Sequence, residues 1–314
     1  MIRLLGFLAN IVFVFSMFAS ASPSLSETKP LIVTSVRPLA LLLNELCFEV
    51  CEVKPVMPGG TDEHGYNPSA KELVGFKDAK LIIGVGLGFD ERVIKTLAKT
   101  VGSSATLVWL GERLKPIEFS LDKEKHRHHH DHHHDHSNEH GSFDPHVWFD
   151  PLRMVEAVGI VSEKLRTILP KSVDKLAANE AKLLESLRNL DKKLTNDSKN
   201  WPNLPLIVMH DALGYFKSRY GLNVRSTVGG GAGHEMSPKD FVRMVKEHQS
   251  KLGQGAAAVV VEKEDGSSRN LAKALSTKIL ILDLSLSHSY KTYHEWLSSL
   301  SEKLMSVSTN VTKP

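Results

Sequence analysis

The sequence predicts an α/β protein of two Rossmann-like lobes joined by one long rigid helix, and three observations carry that prediction. Short apolar runs alternate with helical patterns through both halves of the chain, as parallel strands with covering helices require. Between the halves stands one unbroken amphipathic stretch, about Ser172 to Ser198, with Leu176, Leu183, Leu187, Leu190 and Leu194 on one stripe. At 1.5 Å per residue it reaches roughly 40 Å, enough to span a small domain. In both halves, polar residues stand just beyond strand ends, where open α/β sheets place their ligands. The expected spans are 1–21 for a leader, 22–170 for the first lobe, 171–199 for the linker helix and 200–314 for the second lobe.

The leader has one basic residue, Arg3, an apolar run from Leu4 to Phe18 and the small-residue site Ala19-Ser20-Ala21. It reads as a secretory signal peptide. The run is too short to span a membrane, no basic stop-transfer cluster follows, and no cysteine offers lipid attachment. The mature chain is therefore expected to begin near Ser22 as an exported monomer with no membrane anchor. Its net charge of +3 falls to +2 without Arg3, too small and dispersed for nucleic acid. A mature chain of about 290 residues suffices for two lobes with cores of their own. The two cysteines, Cys47 and Cys51, have no second pair with which to build a metal site. They are a local disulfide if the backbone turns back between them, or free thiols.

In the first lobe, Leu31 to Val36 predicts a strand, Pro38 to Leu46 an apolar helix and Val53 to Met57 a second strand. The loop Pro58-Gly59-Gly60-Thr61-Asp62-Glu63-His64-Gly65-Tyr66 follows. Asn67-Pro68 then reads as a helix start, because Asn caps well and Pro is tolerated at the first helical position. Leu81 to Val85 predicts a strand, about Asp90 to Lys99 a helix, and Thr106 to Leu110 a strand. Asp150-Pro151 repeats the cap-plus-proline start, and Val155, Val158, Val161, Leu165 and Ile168 recur at helical spacing as far as Leu169-Pro170.

The second lobe restarts after Trp201-Pro202. Pro205 to Met209 predicts a strand ending at His210-Asp211, Leu213 to Tyr220 a helix stopped by Gly221, and Asn223 to Val228 a strand. Ser237-Pro238 caps a helix to about His248, Ala256 to Val261 is a strand ending at Glu262, and Arg269 to Ser276 is a helix. Lys278 to Leu282 is a strand ending at Asp283, and Tyr290 to Leu304 is the last helix.

The stretch from His126 to Pro151 carries the chemistry. Its first part holds nine histidines (His126, His128, His129, His130, His132, His133, His134, His136 and His140) with Asp131, Asp135 and Glu139 in fifteen residues. Such a tract has no apolar face to bury, and neutral imidazole is a ligand for borderline divalent metals, so 125–140 reads as a solvated, low-affinity metal-collecting loop. Its second part, Asp144-Pro145-His146-Val147-Trp148-Phe149-Asp150-Pro151, sets one histidine in an apolar, Pro-bracketed frame suited to a defined site. Outside the loop seven histidines remain; His64, His146 and His210 stand in loops or at a strand end, as does Asp283. Three imidazoles and a carboxylate suit tetrahedral Zn²⁺, although separations of 82 and 64 residues between the histidines match no short motif. Glu63 and His234 are accessory candidates, and Glu262 is placed to accept an imidazole N–H. His248, His288 and His294 read as solvated. The glycine run Gly229 to Gly233 is followed by no Gly-Lys-Ser/Thr and is not a phosphate loop.

Four ordered motifs, Pro58-Gly-Gly-Thr-Asp-Glu-His-Gly-Tyr-Asn-Pro-Ser, Asp144-Pro-His-Val-Trp-Phe-Asp-Pro, His210-Asp-Ala-Leu-Gly-Tyr-Phe and Ile281-Leu-Asp-Leu, resemble the metal-site motifs of substrate-binding components of metal ABC uptake systems. The His/Asp-rich loop resembles that of the zinc branch, the ZnuA-like proteins. The resemblance covers nearly all of the mature chain. It implies two α/β lobes on a rigid helix, Zn²⁺ as transported ligand in the cleft, His64, His146, His210 and Asp283 as its ligands, and a membrane permease with its ATPase as partner. The implied protein is periplasmic and not an enzyme. Other readings are a manganese- or iron-binding protein of the same fold, a periplasmic metal buffer without a transporter, and a secreted zinc hydrolase with Glu63 or Glu262 as base. The hydrolase lacks a His-Glu-x-x-His helix, and the hard ions favour more oxygen ligands.

Overall fold

The computed structural model describes residues 28–61, 63–118, 143–201, 205–228 and 258–308, with Lys239, Phe241, Val242, Val245 and Lys246 between the last two spans. The leader, the nine loop histidines, His234, His248 and Ser237-Pro238 lie outside the described residues.

The first lobe runs β1 (Leu31–Thr34), α1 (Arg37–Leu46), β2 (Glu52–Pro55), α2 (Ala70–Val74), β3 (Ala79–Gly84), α3 (Glu91–Val101), β4 (Thr106–Trp109) and α4 (Pro151–Ile168). Helix α5 (Val173–Asp197) leads to the second lobe: β5 (Leu206–Val208), α6 (Gly214–Tyr220), β6 (Val224–Thr227), β7 (Ala258–Val261), α7 (Gly266–Ala274), β8 (Lys278–Ile281) and α8 (Tyr293–Ser308). Each lobe has a four-stranded sheet, in the orders β2-β1-β3-β4 and β6-β5-β7-β8, and every pairing is parallel. The predicted alternation is thus realised twice with the same winding.

Several local boundaries differ from the sequence reading, among them the helix expected at Arg269 to Ser276, which spans Gly266–Ala274. Asn67-Pro68 does not start α2. Ser69 does, in a capping box: its Oγ accepts Glu72 N at 3.3 Å while Glu72 Oε2 accepts Ser69 N at 2.7 Å. The Ser-x-x-Glu spacing that specifies this cap is present in the sequence and outweighs the proline signal. The last helix starts at Tyr293, three residues after the expected Tyr290.

The cores are also less separate than two lobes suggest. One continuous cluster runs from Ile32, Leu39 and Leu43 through Trp148, Phe149 and the leucine stripe of α5 to Phe216, Val260 and Trp296. Smaller clusters cover the other face of each sheet, around Val33, Ile82 and Ile94 in one lobe and Ile207, Val259 and Leu271 in the other. Strand alternation explains the partition, since Ile32 and Val33, or Leu206 and Ile207, point to opposite faces.

Helix α5, 25 residues and about 38 Å long, touches both lobes. Near its start, Asn179 Nδ2 donates to Leu46 O and Phe48 O, each at 3.0 Å, and Lys175 pairs with Glu49. Toward its end, Asp191 accepts Tyr220 OH at 3.0 Å and Asp197 accepts Ser301 Oγ at 2.9 Å. Helix α8 turns back to the first lobe, where Tyr293 N donates to Glu45 Oε1 at 3.0 Å and Tyr293 OH to Trp148 O at 2.6 Å. Cys47 and Cys51 form a disulfide across the turn that ends α1; Cys51 N donating to Cys47 O at 3.0 Å shows the chain folding back between them. Among the described residues no helix is long and apolar enough to cross a membrane.

Candidate metal centre

Both sheets direct the C-terminal ends of their strands to one place, and each histidine is delivered there by a different device. The loop after β2 carries Glu63 and His64. Its glycines are required by close approach: a Cβ on Gly59 would stand 2.0 Å from Leu286 O, and Gly60 has a φ of +74°. Pressed so closely, this loop bonds the loop after β8 through Gly60 N, which donates to Ser285 O at 3.0 Å, while Arg37 Nη1 at the start of α1 donates to Leu286 O at 2.6 Å. His146 precedes the short 3-10 turn Val147–Phe149, whose three side chains are fully buried and anchor it. His210 stands two residues beyond β5.

The ligand nitrogens of His64, His146 and His210 all lie within 4.8 Å of one another. His210 Nε2 and His64 Nε2 are 3.3 Å apart. Two imidazole nitrogens bound at about 2.0–2.1 Å with tetrahedral angles stand about 3.3 Å apart, so this pair is already at the spacing of one edge of a zinc tetrahedron. The tautomers suit the same purpose. His146 Nδ1 lies 2.7 Å from Asp144 Oδ1 and His210 Nδ1 lies 2.8 Å from Glu262 Oε1. Holding each Nδ1 proton leaves the Nε2 lone pair free for a metal. His146 Nε2 is fully buried with no hydrogen-bond partner, an expense that a ligand would remove. Phe89 and Trp148 wall the cluster, with ring centroids 5.2 Å from His64 and His146 respectively.

The carboxylates divide differently from the sequence expectation. Glu63 is buried, with Oε1 3.9 Å from His146 Nε2. Asp283 is buried but occupied: Oδ1 accepts Ser287 N at 2.6 Å and Ser287 Oγ at 2.8 Å, and Oδ2 accepts His288 N and faces His288 Nδ1, both at 3.0 Å. Among the described residues the metal-capable group comprises the three histidines without Asp283. Glu262 takes the acceptor position expected for it. Asp144 is an acceptor that sequence reasoning passed over, and its position two residues before a framed histidine is the signal that points to it. His288 is exposed as expected, whereas His294 is half-buried, its Nδ1 3.4 Å from Ser186 Oγ. An antiparallel bridge between Glu118 and Phe143, with Asp144 N donating to Ile117 O at 2.8 Å, pairs the chain before the histidine-rich stretch with the chain after it, beside Asp144.

Burial raises the Asp144 carboxyl to about 7, against the hydrogen bond it accepts from His146 N. Burial and the neighbouring His210 hold the His146 imidazole well below its ordinary value, so it is neutral and ready to ligate. Burial also pulls His210 down, but the Glu262 hydrogen bond and the charges of Glu63, Glu262 and Asp211 outweigh it and leave His210 above the ordinary value.

A family model described as zinc-uptake complex component A, periplasmic (ZnuA), matches residues 32–307. The chain is 26% identical over 269 residues to zinc-binding protein AdcA of Streptococcus pyogenes serotype M3, covering 83% of this chain and 52% of AdcA. It is 30% identical over 203 residues to the high-affinity zinc uptake system protein ZnuA of Haemophilus ducreyi, covering 61% of this chain and 64% of that protein. The chain thus spans about half the length of the AdcA relatives it matches. A crystal structure of ZnuA has the same fold, with a TM-score of 0.73 at 20% identity over 89% of this chain and 99% of that one.

Proposed function

We propose, since the chain belongs to the zinc-uptake complex component A (ZnuA) family, that it captures Zn²⁺ between its lobes in the periplasm and passes it to a membrane permease driven by an ATPase. The observation that carries this reading is the convergence of one ring nitrogen from each of three histidines of two lobes, with the His146 and His210 rings oriented by carboxylates on Nδ1. Zinc here is cargo. Nitrogen-rich ligation favours it over manganese or iron, which prefer more oxygen donors.

The fourth ligand comes from one of two buried carboxylates: Glu63, whose Oε1 lies 3.9 Å from His146 Nε2, or Asp283, whose oxygens are bonded to Ser287 and His288. A carboxylate in that position leaves no open site for an activated water, and the protein therefore works as a binder and not a hydrolase. Competition against a chromophoric chelator tests the reading. Wild type is expected to hold one tight zinc, and single alanine variants at His64, His146 and His210 each to weaken it. Full retention of tight binding by all three would refute the site.

A further inference from the structure

The segment that carries His146 belongs to the first lobe, yet it is gripped by the second. Helix α6 begins four residues after His210. Its first residue, Gly214, is pressed against Asp144, since a Cβ there would stand 2.3 Å from Asp144 Oδ2. The next residue, Tyr215, is fully buried. Its hydroxyl donates to Asp144 O at 2.8 Å and accepts Ile117 N at 3.3 Å. The Arg153 guanidinium carbon lies 4.8 Å from the ring centroid and holds the ring in place. Asp144 in turn accepts both His146 N at 2.9 Å and His146 Nδ1 at 2.7 Å through one oxygen, Oδ1.

We propose that Tyr215 is a positioning residue for metal capture: its hydroxyl fixes the Asp144 backbone, and Asp144 fixes the ring angle and tautomer of His146. The helix that follows one ligand thereby aims another from the opposite lobe. The proposal rests on reading His64, His146 and His210 as the metal ligands. Its physical basis is geometric. A metal bond is short and directional, so a ligand ring must be held to within about 0.5 Å by groups that are themselves locked. Without the hydroxyl, Asp144 O and Ile117 N lose that buried partner, the Asp144 turn relaxes, and His146 Nε2 swings from the point where the other two nitrogens meet.

The test compares Tyr215→Phe with Tyr220→Phe. Tyr220 lies on the same helix, and its hydroxyl bonds Asp191 at 3.0 Å on α5, apart from the histidine cluster. Tyr215→Phe removes two hydrogen bonds and Tyr220→Phe one, and the apo melting temperatures read the structural cost of each separately from its effect on zinc. Zinc affinity by chelator competition, the visible d–d spectrum of the Co²⁺-loaded protein and the apo melting temperature are measured for wild type, both phenylalanine variants and His210→Ala. Tyr215→Phe is expected to weaken zinc by about tenfold, the lower end of the range for groups that orient a metal-bound imidazole, and to alter the Co²⁺ spectrum. Tyr220→Phe is expected to keep wild-type affinity and spectrum. Equal loss in the two variants, or wild-type affinity and spectrum for Tyr215→Phe, overturns the proposal. If His210→Ala keeps its tight zinc, the ligand assignment fails first; if it loses zinc while Tyr215→Phe does not, only the positioning role fails.

Discussion

His210 contributes to none of the hydrophobic clusters, and its partner Glu262 is partly exposed and can be hydrated when left alone. His210→Ala should therefore weaken zinc by more than about 100-fold, beyond the usual loss for an orienting group, while the apo melting temperature moves by no more than a few degrees. Calorimetry with a thermal scan checks both. The same residue sets a pH dependence. Imidazole binds metal only when neutral, and His210 is held above the ordinary imidazole value of about 6.5. Below its pKa a proton must leave for each metal that enters, so affinity should fall as pH drops through that value, by up to about tenfold per unit for one displaced proton. Zinc affinity that stays flat from neutral to pH 5.5 would remove His210 from the coordination sphere.

At the scale of elements, α4 begins on a group that also joins the lobes. Asp150 is fully buried; its Oδ1 accepts Leu152 N at 3.0 Å and Arg153 N at 3.3 Å. The same carboxylate pairs with Arg153 and with Arg219 Nε of α6, the latter at 2.6 Å. Asp150→Ala removes the cap and the carboxylate shared by two guanidinium groups, of which, among the described residues, Arg219 keeps only Asp191 at 4.0 Å, and should cost about 3–5 kcal/mol in a urea unfolding experiment. Asp150→Asn keeps an acceptor for the cap and should cost less. An alanine variant within 1 kcal/mol of wild type would show that solvent replaces the carboxylate at this junction.

For the whole molecule, the expectation concerns the division between the cluster and the histidine-rich stretch. The chain on either side of that stretch is already joined at the Glu118–Phe143 bridge, and a tract without an apolar face supplies no core. Deleting Lys125 to His140 should leave one tight zinc and nearly the same apo melting temperature, lower the total zinc bound, and slow loading when zinc is scarce. Atomic absorption, thermal scans and stopped-flow loading measure the three effects. Loss of the tight zinc on deletion would place the stretch in the primary site.

Much of this was legible without coordinates, because it is periodic or local. Strand and helix alternation, the leucine stripe of α5 and the proline-framed His146 each depend on neighbours within a few residues. The three histidines and Glu262 stood out by position relative to strand ends. Even the Ser69 cap was written in a four-residue spacing, though a nearby Asn-Pro obscured it. What only the tertiary structure decided lies across long separations. Whether the two lobes keep separate inner cores, where α8 returns and which lobe grips His146 are settled by packing between residues tens to hundreds of positions apart, as Tyr293 meeting Glu45 shows. The carboxylates show the same division at atomic scale. The sequence offers Asp283 as a ligand, Glu63 as an accessory ligand and Glu262 as an imidazole acceptor, and gives Asp144 no role. Tertiary packing separated them: Asp283 bonds its own loop, Asp144 and Glu262 each hold an imidazole proton, and Glu63 is placed toward His146, because hydrogen-bond geometry depends on where the loops meet.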